Sequence, residues 1–340
     1  MSTAPTRKLD PTTLAMGWLI IGMAAITTWD QWAIWSTKDD YGFGYLVPFF
    51  SAYVLYDRWD TLRPYFTGER THVSAPSAKW FLKIVTLIGF ISFLTFIGGG
   101  ATRAIFGTGA LPTLAIAFGL VGTIFSFTFL SVKGAENAQP ASHARWAALG
   151  LIIFPAGVWI ISGPFLYLVD NQIKGHLLTN VVEIVSGILR LSGETIQTNG
   201  NTIVFANNDG VGIADACSGI RSLSACIFVG AFLGAVFVEG SFPGILIRRI
   251  MMIILSGLAA IILNVVRNTY LAFYALNHGS SSLDKDFWGI EHGGTGISSL
   301  GTVHDFAGNA SMVLAFLILI ACVPLVNRFG RSTPIDSTLS

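Results

Sequence analysis

The chain has 340 residues, 52% of them hydrophobic and only 11% charged, with a net charge of +1. Water-soluble domains carry about 25% charged residues, so lipid must cover much of this surface. A balance this close to neutral argues against nucleic acid as a partner, because phosphate binding needs a strong basic excess.

A hydrocarbon core about 30 Å thick needs about 20 mostly apolar residues per spanning helix. Eight stretches are candidates, roughly Leu14–Trp29, Tyr45–Trp59, Trp80–Gly100, Leu111–Val132, Trp146–Val169, Cys217–Val238, Ile245–Leu276 and Ala307–Val326. The first follows Arg7 and Lys8 like a signal peptide, but it lacks a small-x-small cleavage site and is read as a retained span. The seventh is long enough to kink or protrude. With the N-terminus inside, thirteen of the 20 Lys and Arg fall on inner segments and five on outer ones, leaving Arg221 and Arg267 within spans. That bias places both termini in the cytoplasm of a multi-pass inner-membrane protein.

Two outer loops are too long to be simple connectors. In the first, Asp170–Ala216, the apolar stripe of His176–Leu191 predicts a helix lying in the interface. Asn199-Gly200 then separates two alternating runs, Thr195–Thr198 and Thr202–Ala206, which predicts a β-hairpin. A third short run, Val211–Ile213, leads into Cys217. One hairpin edge is a candidate for pairing with an extended partner; the alternative is a plain lid. The second outer loop, Asn277–Val303, is rich in Gly and Ser and contains His278, Glu291 and His292. The fold class is therefore an all-α polytopic membrane protein of about eight transmembrane helices with a small extracytoplasmic β element.

Three positions carry candidate chemistry. Arg267 follows an apolar run and is flanked by Asn264 and Asn268; a charge inside a span is costly and usually functional, though from the outer half it can also snorkel to the interface. The three cysteines, Cys217, Cys226 and Cys322, have no C-x-x-C spacing and make neither a disulfide framework nor a zinc site. Cys217 is either a small buried residue or a nucleophile. The second reading places it in the first turn of a helix, where unpaired N–H groups and Arg221 one turn later favour a thiolate. Cys226 and Cys322 read as packing. His304, at the mouth of the last span, is an interfacial anchor or a base. Inner-segment counting brings thiol, guanidinium and imidazole to one depth on one side, which is the set that thiol-based acyl transfer requires.

The blocks Ala216-Cys217-Ser218-Gly219-Ile220-Arg221-Ser222-Leu223, Asn264-Val265-Val266-Arg267 and His304-Asp305-Phe306-Ala307-Gly308 resemble the three signature blocks of the exosortase/archaeosortase family. Tyr41-Gly42-Phe43-Gly44-Tyr45-Leu46-Val47-Pro48 is similar to a fourth; many members carry histidine where this chain has Phe43, and that position is given no role. The resemblance implies Cys217 as nucleophile, Arg267 as essential arginine and His304 as general acid/base, with Ser218, Arg221 and Asn264 supporting. It implies substrates that are exported proteins ending in a recognition motif, a transmembrane helix and a basic tail. The new carboxyl end would pass to an acceptor such as surface polysaccharide or lipid. No metal or organic cofactor is expected. Two rival readings are an anion transporter built on Arg221 and Arg267, and a non-catalytic scaffold of polysaccharide export.

Overall fold

In lipid the backbone must satisfy its own N–H and C=O groups, and a helix does so within one segment. The computed structural model describes residues 8–69, 77–134, 142–162, 164–213, 219–240, 244–285 and 301–329. Among them, seven helices are long and apolar enough to cross a membrane. They fall into two compact units, Met1–Leu168 with Gly240–Leu246, and Val169–Glu239 with Ile247–Ser340.

The first unit contains α1 (Pro11–Thr37), α2 (Val47–Asp57), α3 (Trp59–Thr67), α4 (Lys79–Phe106), α5 (Ala110–Ser131) and α6 (Ser142–Ile161). Asp10 caps α1 by accepting from Thr13 N at 3.2 Å, with Pro11 in the first helical turn, where its missing N–H costs nothing. Helices α4 and α5 form a close pair: Gly119 lies against the Phe96 backbone and Gly99 against Ile116, with no space for a Cβ. Small residues of this kind let membrane helices approach.

The expected span Tyr45–Trp59 is not one helix. A 3₁₀ turn (Asp39–Leu46) leads into the 11-residue α2, and the chain breaks at Arg58 before the 9-residue α3. Eleven residues rise only about 16 Å, half a hydrocarbon core. Neither helix is among the seven long, apolar ones. Tyr45 packs edge-on against Trp35 near the end of α1. At the other end Lys133 N donates to Tyr65 O at 2.8 Å, and Lys133 pairs with Asp10 at 3.2 Å near the start of α1. The buried Arg58 makes the break tenable, because its Nη1 donates to Leu151 O at 2.5 Å.

A second departure concerns the fifth span. Helix α6 ends at Ile161, and the interfacial helix expected over His176–Leu191 is the later half of a longer helix, α7 (Pro164–Leu191).

The second unit continues with the later part of α7, then β1 (Ile196–Asn199), β2 (Thr202–Phe205), β3 (Gly210–Gly212), α8 (Ile220–Phe237), α9 (Gly244–His278) and α10 (Val303–Arg328). The strands form one antiparallel sheet in the order β1-β2-β3. Thr202 pairs with Asn199, so the hairpin turn is centred on Gly200 (φ 57°) and Asn201, one residue later than expected. At one end of the helices Arg249 Nε donates to Gly234 O at 3.1 Å, and Asn327 Nδ2 to Phe237 O at 2.9 Å. The opposite end is capped by a buried cluster. Ile203, Phe205 and Val211 of the sheet meet Val181, Val185 and Leu189 of α7 there, together with Leu271 of α9 and Val303 and Ala307 of α10.

Candidate active site

The capped end of the second unit gathers the signature blocks. Helix α8 starts at Ile220, with Gly219 at its N-cap in a left-handed conformation (φ 90°, ψ 4°). Such a residue cannot lie inside a right-handed helix, and only glycine adopts it cheaply. The expectation that Cys217 occupies the first turn of a helix, with Arg221 one turn along the same face, falls outside the described residues. Arg221 itself is in the first turn of α8 and exposed. Cys217 and Ser218 lie outside the described residues.

Gly219 binds the first block to the second. A Cβ built on it would lie 2.5 Å from Nδ2 of Asn264, so the amide packs directly on the glycine backbone. Asn264 is buried, and Asn268 donates to its carbonyl at 2.8 Å and to its Oδ1 at 3.2 Å. These bonds tie the Asn264 side chain to the helix that carries Arg267.

Arg267 binds the second block to the third. Its Nη2 approaches His304 O at 3.5 Å, and a Cβ on Gly308 would sit 3.5 Å from the same atom. The guanidinium therefore lies along the first turn and a half of α10. Its Nε is buried and has no hydrogen-bond partner among the described residues. Arg267 also lines an apolar cavity of about 260 Å³ with Leu263, Tyr270, Phe306 and Leu314. An always-charged donor whose Nε has no partner among the described residues can donate to an acceptor from elsewhere.

His304 is half-buried in the first turn of α10. That turn is fixed by a capping box, in which Thr302 Oγ1 accepts from Asp305 N at 3.2 Å and Asp305 Oδ2 accepts from Thr302 N at 3.0 Å. His304 N also donates to Leu283 O at 3.4 Å, which fastens the start of the segment after α9 to α10. The imidazole is within electrostatic reach of Arg267, Asp284 and Asp305. Of the other cysteines, Cys226 is buried and Cys322 half-buried, both as free thiols. Of the sequence-derived candidates, the structure thus brings Asn264, Arg267 and His304 together, with Gly219 two residues after Cys217.

Some of the polar architecture escaped sequence reasoning. Thr302-x-x-Asp305 before an apolar run was a legible capping signal. Asp30 was not: its side chain is fully buried on α1 and ion-paired with Arg103 of α4, whose guanidinium also lies 4.0 Å over the Trp29 ring. Beside it Gln31 Nε2 donates to Trp159 O at 2.8 Å, and Ser162 Oγ to Gln31 Oε1 at 2.6 Å.

Seven apolar helices, with intramembrane polar groups held at one end of a helix set, define a multi-pass membrane protein. Residues 35–321 match the family described as Transmembrane exosortase (Exosortase_EpsH), and the chain belongs to that family. No curated protein and no solved structure matches it.

Proposed function

We propose that this chain is an inner-membrane cysteine transpeptidase that cuts exported proteins at a C-terminal sorting signal. Its family is generally one of cysteine transpeptidases. The observation that carries the reading is Arg267: a half-buried guanidinium on the His304 turn, whose buried Nε has no hydrogen-bond partner among the described residues.

In this reading His304 accepts the Cys217 proton and the thiolate attacks a peptide carbonyl carbon of the substrate. Arg267 donates to the developing oxyanion, which is where preorganised donors contribute most to rate. The C–N bond breaks, His304 returns its proton to the leaving amine, and the acyl group remains as a thioester on Cys217. An amine, hydroxyl or water then attacks the thioester, His304 takes its proton, and the thiolate leaves. Ser218, Arg221 and Asn264 support the site, Asn264 by positioning the helix that bears Arg267. Substrates are exported proteins ending in a recognition motif, a transmembrane helix and a basic tail, and the acceptor is a surface polysaccharide or lipid. Both termini are cytoplasmic and the site is extracytoplasmic, a placement supported by the Lys/Arg bias.

The unused Arg267 N–H also favours a second reading, binding of a transported anion. Substituting Cys217→Ser separates the two. Loss of cleavage of a tagged substrate, at unchanged membrane abundance, is expected of the thiol enzyme. Normal cleavage by Cys217→Ser would rule the thiol mechanism out.

A further inference from the structure

A polar cleft of about 360 Å³ lies in the second unit between α7 and the β1–β2 hairpin. Thr179, Glu183, Ser186 and Arg190 line it from one face of α7, and Thr198 and Asn201 from the hairpin. Ser186 is 1% exposed, and its buried hydroxyl has no hydrogen-bond partner among the described residues. A serine on a helix can satisfy itself on a carbonyl one turn back. This one does not, although it borders an open cleft.

The hairpin wall is a strand edge. Among the described residues, strand β1 has β2 on one side and no strand on the other. The direction of its backbone groups follows from the ladder. Ile213 N donates to Asn201 O and Phe205 N to Asp209 O, so the odd residues of β2 face β3 and Thr202 and Val204 face β1. Their partners Asn199 and Gln197 point inward. By alternation, the N–H and C=O of Ile196 and Thr198 point out from the sheet. The other edge is poorer: β3 is three residues long with two glycines, and Gly210 N is already bonded to Asp209 Oδ1 at 2.9 Å.

We propose that this cleft is the subsite for the extended recognition segment that precedes the substrate's transmembrane helix. The segment pairs with the outward edge of β1 at Thr198 and lies along Glu183, Ser186 and Arg190. The proposal rests on the transpeptidase reading and adds where the substrate is gripped. From Thr179 to Arg190 the helix rises about 16 Å, the length of about five residues of extended chain. One carboxylate, one guanidinium and two hydroxyls along that length match the mixed donors and acceptors of a polypeptide, and a free strand edge supplies main-chain pairing. No aromatic ring is among the lining residues to stack on a sugar. The sheet and the first turn of α10 share one buried cluster, so the subsite and His304 are built on a common core.

The test uses the full-length chain in the Cys217→Ser background, which is expected to bind without cutting. A photo-crosslinking amino acid replaces Asn201, and the probe is a tagged exported protein ending in a transmembrane helix and basic tail. Crosslinks are expected to residues just before that helix. Thr198→Pro removes the outward N–H but no ladder bond, and should weaken capture about fivefold, the value of one net hydrogen bond. Arg190→Glu, an exposed change that leaves the fold alone, should weaken it as well. Capture unchanged by both variants, absent, or confined to the substrate's helix would overturn the subsite, and so would a carbohydrate adduct in place of peptide. Cleavage by the Cys217 chain in that event would leave the transpeptidase reading standing. Peptide capture alongside normal cleavage by Cys217→Ser would instead keep the subsite and sink the thiol mechanism.

Discussion

Two arginines sit near the capped end of the second unit, and their surroundings separate their roles. Arg221 is exposed in the first turn of α8, whereas Arg267 is packed against Gly308 and His304 O with a buried, unused Nε. A lysine keeps charge but not the planar fork, so it replaces a guanidinium only where charge alone matters. Arg267→Lys is expected to lower cleavage of a tagged substrate by about 10²–10³, the usual cost of one oxyanion donor. Arg221→Lys should reduce it only in part, because exposed charges contribute little. Glycines give a second contrast. Gly219→Ala forces an L-residue into a left-handed conformation, costing about 1–2 kcal/mol, and drives a methyl to 2.5 Å from the Asn264 amide. Gly308→Ala places its methyl at an ordinary 3.5 Å from Arg267 Nη2. Cleavage at matched abundance should therefore fall by at least about tenfold for the first, as a loss of 1.4 kcal/mol implies, and stay near normal for the second. Arg267 and Asn264 were legible as candidates because a polar group in an apolar run is conspicuous, and His304 because it opens the last such run. Asp30 and Arg103 were not, since their pairing spans 73 residues and two helices, and nothing local marks it.

At the scale of elements, hydropathy found the long helices but not their interruptions. A window of apolar residues looks the same whether the chain bends at Arg58 or runs through it, and the buried bond from Arg58 to Leu151 O is tertiary. The hairpin was legible from turn chemistry, yet which strand is central was not. Ile203 lies fully buried on the middle strand, between Thr198 and Val211. Its N–H faces β3, so a proline there would break the β2–β3 ladder and would not report on pairing at the β1 edge. The sheet is also pinned by one carboxylate. Asp209 accepts from Ser280 Oγ at 2.6 Å, Ser280 N at 2.8 Å and Gly210 N at 2.9 Å. The Ser280 hydroxyl, then these backbone N–H groups, hold its pKa below the usual carboxylate value of 3.8. A depressed folded pKa means stability that is present above about pH 4 and lost as pH falls through the lower folded value. Protection of the residue 202–213 amides, relative to the intrinsic exchange rate at each pH, should therefore stay high at neutral pH and fall in acid below that value. Asp209→Asn should exchange faster at neutral pH and lose that acid dependence; an unchanged pH profile would remove the clamp.

For the whole molecule, family membership and a multi-pass helical architecture were both legible, the first from the order of the blocks and the second from composition. The side of the membrane rests on Lys and Arg counting, and it predicts that a membrane-impermeant thiol reagent labels Cys217 in intact spheroplasts. Labelling only after permeabilisation would reverse the orientation and remove exported proteins as substrates. The central claim is that Cys217 forms an acyl bond with its substrate. It is tested most directly by incubating the purified full-length protein with a peptide spanning the end of an exported substrate, then locating any adduct by mass spectrometry. A hydroxylamine-sensitive thioester on Cys217 is expected, carrying the N-terminal part of the peptide and absent from Cys217→Ser and Arg267→Lys. Cleavage of the peptide with no adduct on Cys217, or equal cleavage by Cys217→Ser, would contradict it.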